Sequence, residues 1–215
     1  MPKFLTDTNA AARTLSPTGS IGRAFAAQGW EVVSVDVDRR ANPTYCCDVA
    51  QWDWRCVGEV DAIWASPPCT QYSAARSRGG RDLLTSDALV RKTLEIAAGL
   101  GNPPLFVENP HSGQLKNRGL LTHLTMRVVD YCTYGFSYRK RTSVWTNTEW
   151  RPSRPLCRHD CAASDGRKHA ATAQRGPPGP CFSQRELYRI PPALCEEIAE
   201  YCDTVSATTG TAGGP

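Results

Sequence analysis

The chain lacks any apolar run approaching the ~20 residues needed to cross a bilayer, which excludes a membrane-spanning helix. A secretory leader is missing as well. Met1-Pro2-Lys3-Phe4-Leu5-Thr6-Asp7 carries no apolar h-region, so the protein is expected in the cytosol of its cell or host. Strong charge of either sign is absent: the net +4 is only a weak pointer to an anionic partner. Arginines nonetheless crowd Arg76 to Arg81 and Arg139 to Arg158. Nor is there a disulfide framework, despite ten cysteines. Cys46, Cys47, Cys56, Cys69, Cys132, Cys195 and Cys202 are scattered through apolar or strand-like stretches. Only Cys157, Cys161 and Cys181 lie close together beside histidines. In a cytosolic chain such clustering points to metal before disulfide.

What is present is ordinary globular composition, 40% apolar and 21% charged over 215 residues. That suits one domain, or one domain with a small appendage. The chain is organised around Ala65-Ser66-Pro67-Pro68-Cys69-Thr70-Gln71-Tyr72-Ser73. The preceding Val60-Asp61-Ala62-Ile63-Trp64 has the length of one buried strand. Two prolines end it, fixing φ and removing donors, so a rigid turn presents Cys69. A sulfur held there, with a helix N-terminus beyond it to lower its pKa, suits a nucleophile. A small buried thiol is the commoner fate of a free cysteine, so the rest of the chain must decide.

Residues 1–13 are polar and Ala-rich without a period, expected as a poorly ordered segment or a weak first strand. Leu15-Ser16-Pro17-Thr18-Gly19-Ser20-Ile21-Gly22 precedes a helical pattern, letting backbone approach a ligand at a helix N-terminus. Trp30 to Val35 is a β-branched strand that ends in Asp36-Val37-Asp38, where nucleotide-type folds place the acid that binds ribose hydroxyls. Cys46 to Val49 is a third short strand with Asp48, which serves equally as a turn cap. Residues 74–82 form a basic, glycine-containing loop, and Asp87 to Leu100 has helical spacing. Pro104 to Pro110 is a buried strand delivering Glu108 at its C-terminal end, where the chemistry of open α/β sheets sits. Met126 to Cys132 is another strand, and Gly135 to Asn147 is a basic turn and a further strand. Strands alternating with helices give an α/β layer fold.

Ser-Pro-Pro-Cys, then Val-Glu-Asn, then Arg-x-Arg before a strand is the order found in DNA cytosine-5 methyltransferases, which the chain resembles from about residue 15 to 147. A fainter echo lies near 187–199. Pro-Cys with Glu-Asn is the specific pair. The resemblance implies a Rossmann-like, S-adenosylmethionine-dependent methyltransferase fold over residues 1–147, acting on a cytosine flipped out of duplex DNA. It implies that Cys69 adds to C6, that Glu108 supplies or shares the N3 proton, and that Arg139 and Arg141 belong to the Arg-x-Arg segment contacting the base and the thiol region. Thr18, Gly19, Ser20, Ile21, Gly22, Asp36, Asp48 and Pro67 match the cofactor site. Pro17 stands where the family has a glycine, and Ser137 or Tyr138 where it has a glutamine.

The family's large recognition domain has no room here. Residues 148–185 hold a basic Cys/His segment in its place, in which Cys157, Cys161, His169 and Cys181, with His159 as the alternative, would make a tetrahedral zinc site. Zinc would fold a segment too small for a core of its own, and Arg151, Arg154, Arg158, Arg167, Lys168 and Arg175 would contact phosphates. Residues 186–205 are expected as a C-terminal helix packing back on the catalytic domain, and 206–215 as a disordered tail. The resemblance and the chain's size suit a compact, monomeric enzyme of the sort that small viruses or phages carry. Two other readings stay open: cytosine C5 chemistry on RNA or a free nucleotide, and a degenerate, cofactor-less DNA-binding relative.

Overall fold

The computed structural model of the protein describes residues 1–7, 19–73, 80–173 and 182–210. Seven strands form one sheet: β1 (Lys3–Asp7), β2 (Glu31–Asp36), β3 (Tyr45–Cys46), β4 (Ala62–Ala65), β5 (Leu105–Pro110), β6 (Thr125–Asp130) and β7 (Arg141–Thr146). Their order is β3-β2-β1-β4-β5-β7-β6. Only β7 runs against the others, paired antiparallel with both β5 and β6. The order reverses between β1 and β4, which opens a crevice beyond their C-terminal ends, the place where open α/β sheets bind ligands.

The helices are α1 (Ser20–Ala27), α2 (Leu83–Gly99), α3 (Gln184–Tyr188) and α4 (Pro192–Gly210). Alternation along the strands sends side chains to two cores. On one face Leu5, Val33, Ile63 and Val107 pack against Leu89, Val90 and Ile96 of α2. On the other, Phe4, Ala62, Trp64 and Phe106 meet Ile21 and Phe25 of α1 and Leu194 and Ile198 of α4. Coverage on both faces is why β4 reads as an unbroken apolar run and is wholly buried. Cys195 and Cys202 sit in the second core, where burial pushes their thiols up. They are packing residues. Asp82 caps α2 by accepting from the Thr85 N–H at 3.0 Å, and Ser183 with Glu186 forms a capping box on α3.

The fold departs from the expected elements in three places. The N-terminus, expected as a poorly ordered segment or a weak first strand, is an interior strand: β1 lies between β2 and β4, in register Phe4↔Val32 and Phe4↔Ala62. Phe4 is fully buried and stacks on Phe25 with ring centroids 3.7 Å apart. Strict strand–helix alternation also fails, since only 3-10 turns at Arg39–Ala41 and Trp54–Val57 separate β2, β3 and β4. Finally, α4 continues to Gly210, into the segment expected as a tail. No helix among the described residues is long and apolar enough to cross a membrane.

Because β1 is paired on both sides and Phe4 is fully buried, Phe4→Ala should cost about 3–5 kcal/mol of unfolding free energy, as other large-to-small core changes do. Urea denaturation measures it. An unchanged midpoint would mean that the N-terminus contributes nothing to the core.

Candidate active site

The turn after β4 is held by groups from three directions. Trp64 Nε1–H donates to Ser66 Oγ at 2.8 Å, and Asn109 Nδ2–H donates to the Pro67 carbonyl at 2.9 Å. Arg81 donates to the carbonyls of Gln71 and Ser73 at 2.9 and 2.7 Å. Tyr72, fully buried, donates its hydroxyl to Asp87 at 2.9 Å, and Asp87 is also paired with Arg118. Cys69 is thereby fixed and half-buried at the C-terminal edge of the sheet. Desolvation pushes its thiol above the ordinary value; Lys140 opposes this and Glu108 reinforces it. Among the described residues, the first helix after Cys69 is α2, which starts only at Leu83, so none of these begins beside the sulfur as the sequence suggested.

On β5 the three residues Val107-Glu108-Asn109 divide their work by strand alternation. Val107 enters the core, and Asn109 reaches back to the proline turn. Glu108, nearly buried, accepts from the Tyr131 hydroxyl at 3.0 Å and lies 3.6 Å from Lys140 Nζ. Lys140 Nζ also donates to the Leu187 carbonyl at 3.0 Å and stands 4.8 Å above the Tyr131 ring. A carboxylate, a phenol and an ammonium therefore form one buried group facing the thiol.

Arg139 and Arg141 are not part of that group. They lie on the opposite side of the chain from Lys140 and converge on Asp130, which is fully buried. Arg141 donates from Nε and Nη2 at 3.0 and 2.7 Å, and Arg139 from Nε at 3.5 Å. The Cys157 N–H adds a third donor at 3.1 Å. Burial alone would raise the Asp130 pKa, but the two guanidiniums and this N–H together hold it below the ordinary value.

Behind Asp130, Cys132, Cys157, Cys161 and His169 bring their ligand atoms within 4.8 Å of one another. Cys181 lies outside the described residues. His159 stands beside the cluster, its ring centroid 4.9 Å from that of His169, without being a member.

On the far side of the crevice, Gly19 caps α1 with φ +57°, a conformation that favours glycine. Gly22 packs so closely on β2 that a Cβ would stand 3.1 Å from Val32 Cγ1. Ser20 opens α1 and Ile21 is buried beneath it. Asp36, almost fully buried at the end of β2, accepts from the Asp38 N–H at 2.7 Å. Asp48 accepts from the Ala50 N–H at 2.9 Å, which is a turn cap. Thr6 Oγ1, near the end of β1, is buried without a hydrogen-bond partner among the described residues. Thr18 and Pro17 lie outside the described residues.

No protein-family model matches the chain. It is 36% identical to a probable DNA (cytosine-5)-methyltransferase of Frog virus 3 (isolate Goorha), over 212 residues that cover 87% of this chain and 97% of the relative. The chain belongs to the DNA cytosine-5 methyltransferase family. Sequence reasoning named Cys69 and Glu108 in this family member but missed Lys140 and Cys132. Lys140 sits between the two arginines of the motif, and strand alternation is the signal that separates its face from theirs. Cys132 gave no local signal, because its partners lie on the far side of β7.

The electrostatics of this methyltransferase family member are testable on the thiol itself. A raised pKa means that alkylation of Cys69 climbs about tenfold per pH unit through the neutral range. At fixed pH, Lys140→Met removes the favourable cation and should slow alkylation about threefold to tenfold. Glu108→Gln removes the unfavourable anion and should speed it by a similar factor. Mass spectrometry of the Cys69 peptide reads both, and an unaltered rate in Lys140→Met would dissociate the ammonium from the thiol.

Proposed function

We propose that the protein is an S-adenosylmethionine-dependent DNA (cytosine-5)-methyltransferase that works as a monomer through a covalent adduct between Cys69 and C6 of a flipped cytosine. The observation that carries this reading is the hydrogen bond from Asn109 to the Pro67 carbonyl. It ties the turn bearing the thiol to the strand bearing Glu108, with Lys140 beside both. A binding protein has no use for a desolvated thiol facing a carboxylate and an ammonium.

In this reading Cys69 adds as the thiolate to C6, and the C5–C6 π pair shifts toward C4 while N3 takes a proton through Glu108. C5 becomes enamine-like and nucleophilic. Tyr131 and Lys140 hold Glu108 in place, and the Lys140 ammonium favours the thiolate. Loss of the C5 proton later restores the C5–C6 double bond and expels Cys69. Arg139 and Arg141, bound by Asp130, keep the start of β7 in position.

The residues around the crevice fit the methyl donor: a positive-φ glycine at the α1 terminus, a buried carboxylate at the end of β2, and the Thr6 hydroxyl, which has no partner among the described residues. Gly19, Ser20, Ile21, Gly22, Asp36, Asp48 and Pro67 would hold it. S-adenosylmethionine, when bound, supplies the electrophilic methyl that C5 takes. Arg151, Arg158, Arg167 and Lys168 are exposed on the segment after β7 and suit DNA phosphates. The second cofactor of this reading is a structural zinc ion in the Cys/His cluster.

Covalent trapping tests the function. Duplex DNA containing 5-fluorocytosine, with S-adenosylmethionine, should stall the protein in a denaturant-stable complex, because fluorine cannot leave C5 as a cation. Cys69→Ser should abolish the complex, a loss of at least about a thousandfold. Calorimetric titration with S-adenosylmethionine separates the alternatives. Cofactor binding without trapping on DNA would move the substrate to RNA or a free nucleotide. Neither binding nor trapping would leave a degenerate relative.

A further inference from the structure

Cys132 lies in the turn that follows β6 of the sheet, whereas Cys157, Cys161 and His169 belong to the segment beyond β7. His169 Nε2 lies 3.3 Å from Cys157 Sγ and 3.3 Å from Cys161 Sγ, and all four ligand atoms fall within 4.8 Å. A tetrahedral zinc ion with ordinary bond lengths spaces two thiolates about 3.8 Å apart and a thiolate and an imidazole about 3.5 Å apart. The two sulfur–nitrogen distances of 3.3 Å lie close to that spacing, and each residue offers one atom to the group. Cys132, Cys157 and His169 are buried. Two buried thiols and a half-buried third around one imidazole have only weak donors and acceptors for each other, and a cation satisfies them all.

The surroundings also suit a metal. The Cys157 sulfur accepts from the His159 N–H at 3.3 Å, the kind of outer contact that orients a thiolate ligand. His159 itself has φ +69°, which bends the chain so that Cys157 and Cys161 face one point. Three thiolates, a neutral imidazole and a divalent ion leave one net negative charge, and Asp130 beside them adds another. Arg139 and Arg141 supply two positive charges in that place. Three sulfurs and a nitrogen with no position left open make a structural zinc site rather than a catalytic one.

The segment that carries the ligands is joined to the active-site turn by backbone. The Arg139 N–H donates to the Ala171 carbonyl and the Ala173 N–H to the Arg139 carbonyl, both at 3.0 Å. Ala171 lies two residues beyond His169, and Lys140 is the next residue after Arg139. We propose that Cys132, Cys157, Cys161 and His169 bind one structural zinc ion, and that this ion holds the turn bearing Lys140 in register against Glu108. The metal site stands on its own geometry, and only its bearing on catalysis rests on the methyltransferase reading.

The full chain, purified reduced, should contain about one zinc per molecule by elemental analysis. Replacing zinc with cobalt should give the visible bands of a tetrahedral, thiolate-rich site. Loss of an outer contact costs a metal site about 10–100-fold in affinity, so Cys132→Ser, which removes a ligand, should cost at least about 100-fold. His159→Ala should keep the metal and its cobalt spectrum. Hydrogen exchange should show the Arg139 and Ala173 amides losing protection when a chelator strips the metal, while amides of β4 and β5 stay protected.

Metal-free reduced protein that develops no cobalt spectrum would overturn the site. Full affinity in Cys132→Ser, with loss in Cys181→Ser, would overturn the ligand set. Unchanged exchange at Arg139 and Ala173 would overturn the coupling to the turn. None of these readouts needs DNA or methyl transfer, so a failure of the metal site and a failure of the proposed activity are told apart.

Discussion

The buried carboxylate of Asp130 is the constraint on which this end of the molecule depends. It ends β6, has no exposure, and receives two guanidiniums and one backbone N–H. A lone charge in that position would be untenable, and removing one partner of a buried pair typically costs about 3–5 kcal/mol. The requirement works in both directions. Asp130 needs Arg139 and Arg141 on one face of the chain, and that places Lys140 on the other, toward Glu108. The same carboxylate needs the Cys157 N–H, which brings the Cys/His segment down onto the sheet.

β7 makes this arrangement possible. It is the one strand that runs against the rest, so its beginning, not its end, lies at the edge where the parallel strands terminate. The turn from 138 to 140 is thereby delivered to the site without a crossover helix. A short tyrosine-and-lysine turn then docks on α3, through the Tyr138 hydroxyl to the Glu186 carbonyl at 2.9 Å and Lys140 to the Leu187 carbonyl at 3.0 Å. The C-terminal helices support the chemistry from behind, and the sheet supports it from below.

Much of this was legible in the residues. The proline turn announces Cys69 because Pro67 and Pro68 admit few conformations, and Glu108 stands out because an acid rarely follows three buried apolar residues without a task. β2, β5 and α2 follow from period and composition. β1 was legible only as one of two alternatives, because five residues that include Lys3, Thr6 and Asp7 carry too little pattern, and only their place between two strands makes Phe4 and Leu5 core. The motif marked the two arginines as contacts to the base and the thiol region, and nothing in the strand Met126 to Cys132 marked Asp130 as their partner. Lys140 and Cys132 depended on which face a strand turns and on what lies across the sheet, and neither is a local property of sequence.

The shared origin of the Cys/His cluster bears on how such a protein can change over time. A segment whose folding is indifferent to the body that carries it can be exchanged whole. Here one of the four clustered side chains, Cys132, is rooted in the turn that follows β6 of the sheet, and the segment's backbone pairs with Arg139. A transplant of the segment alone would arrive with an incomplete set of clustered residues and an unpaired edge. Its evolution is thus tied to that of the sheet beneath it, and, in the proposed reading that has it touching DNA, a new preference would come by substitution within the segment rather than by replacement of it.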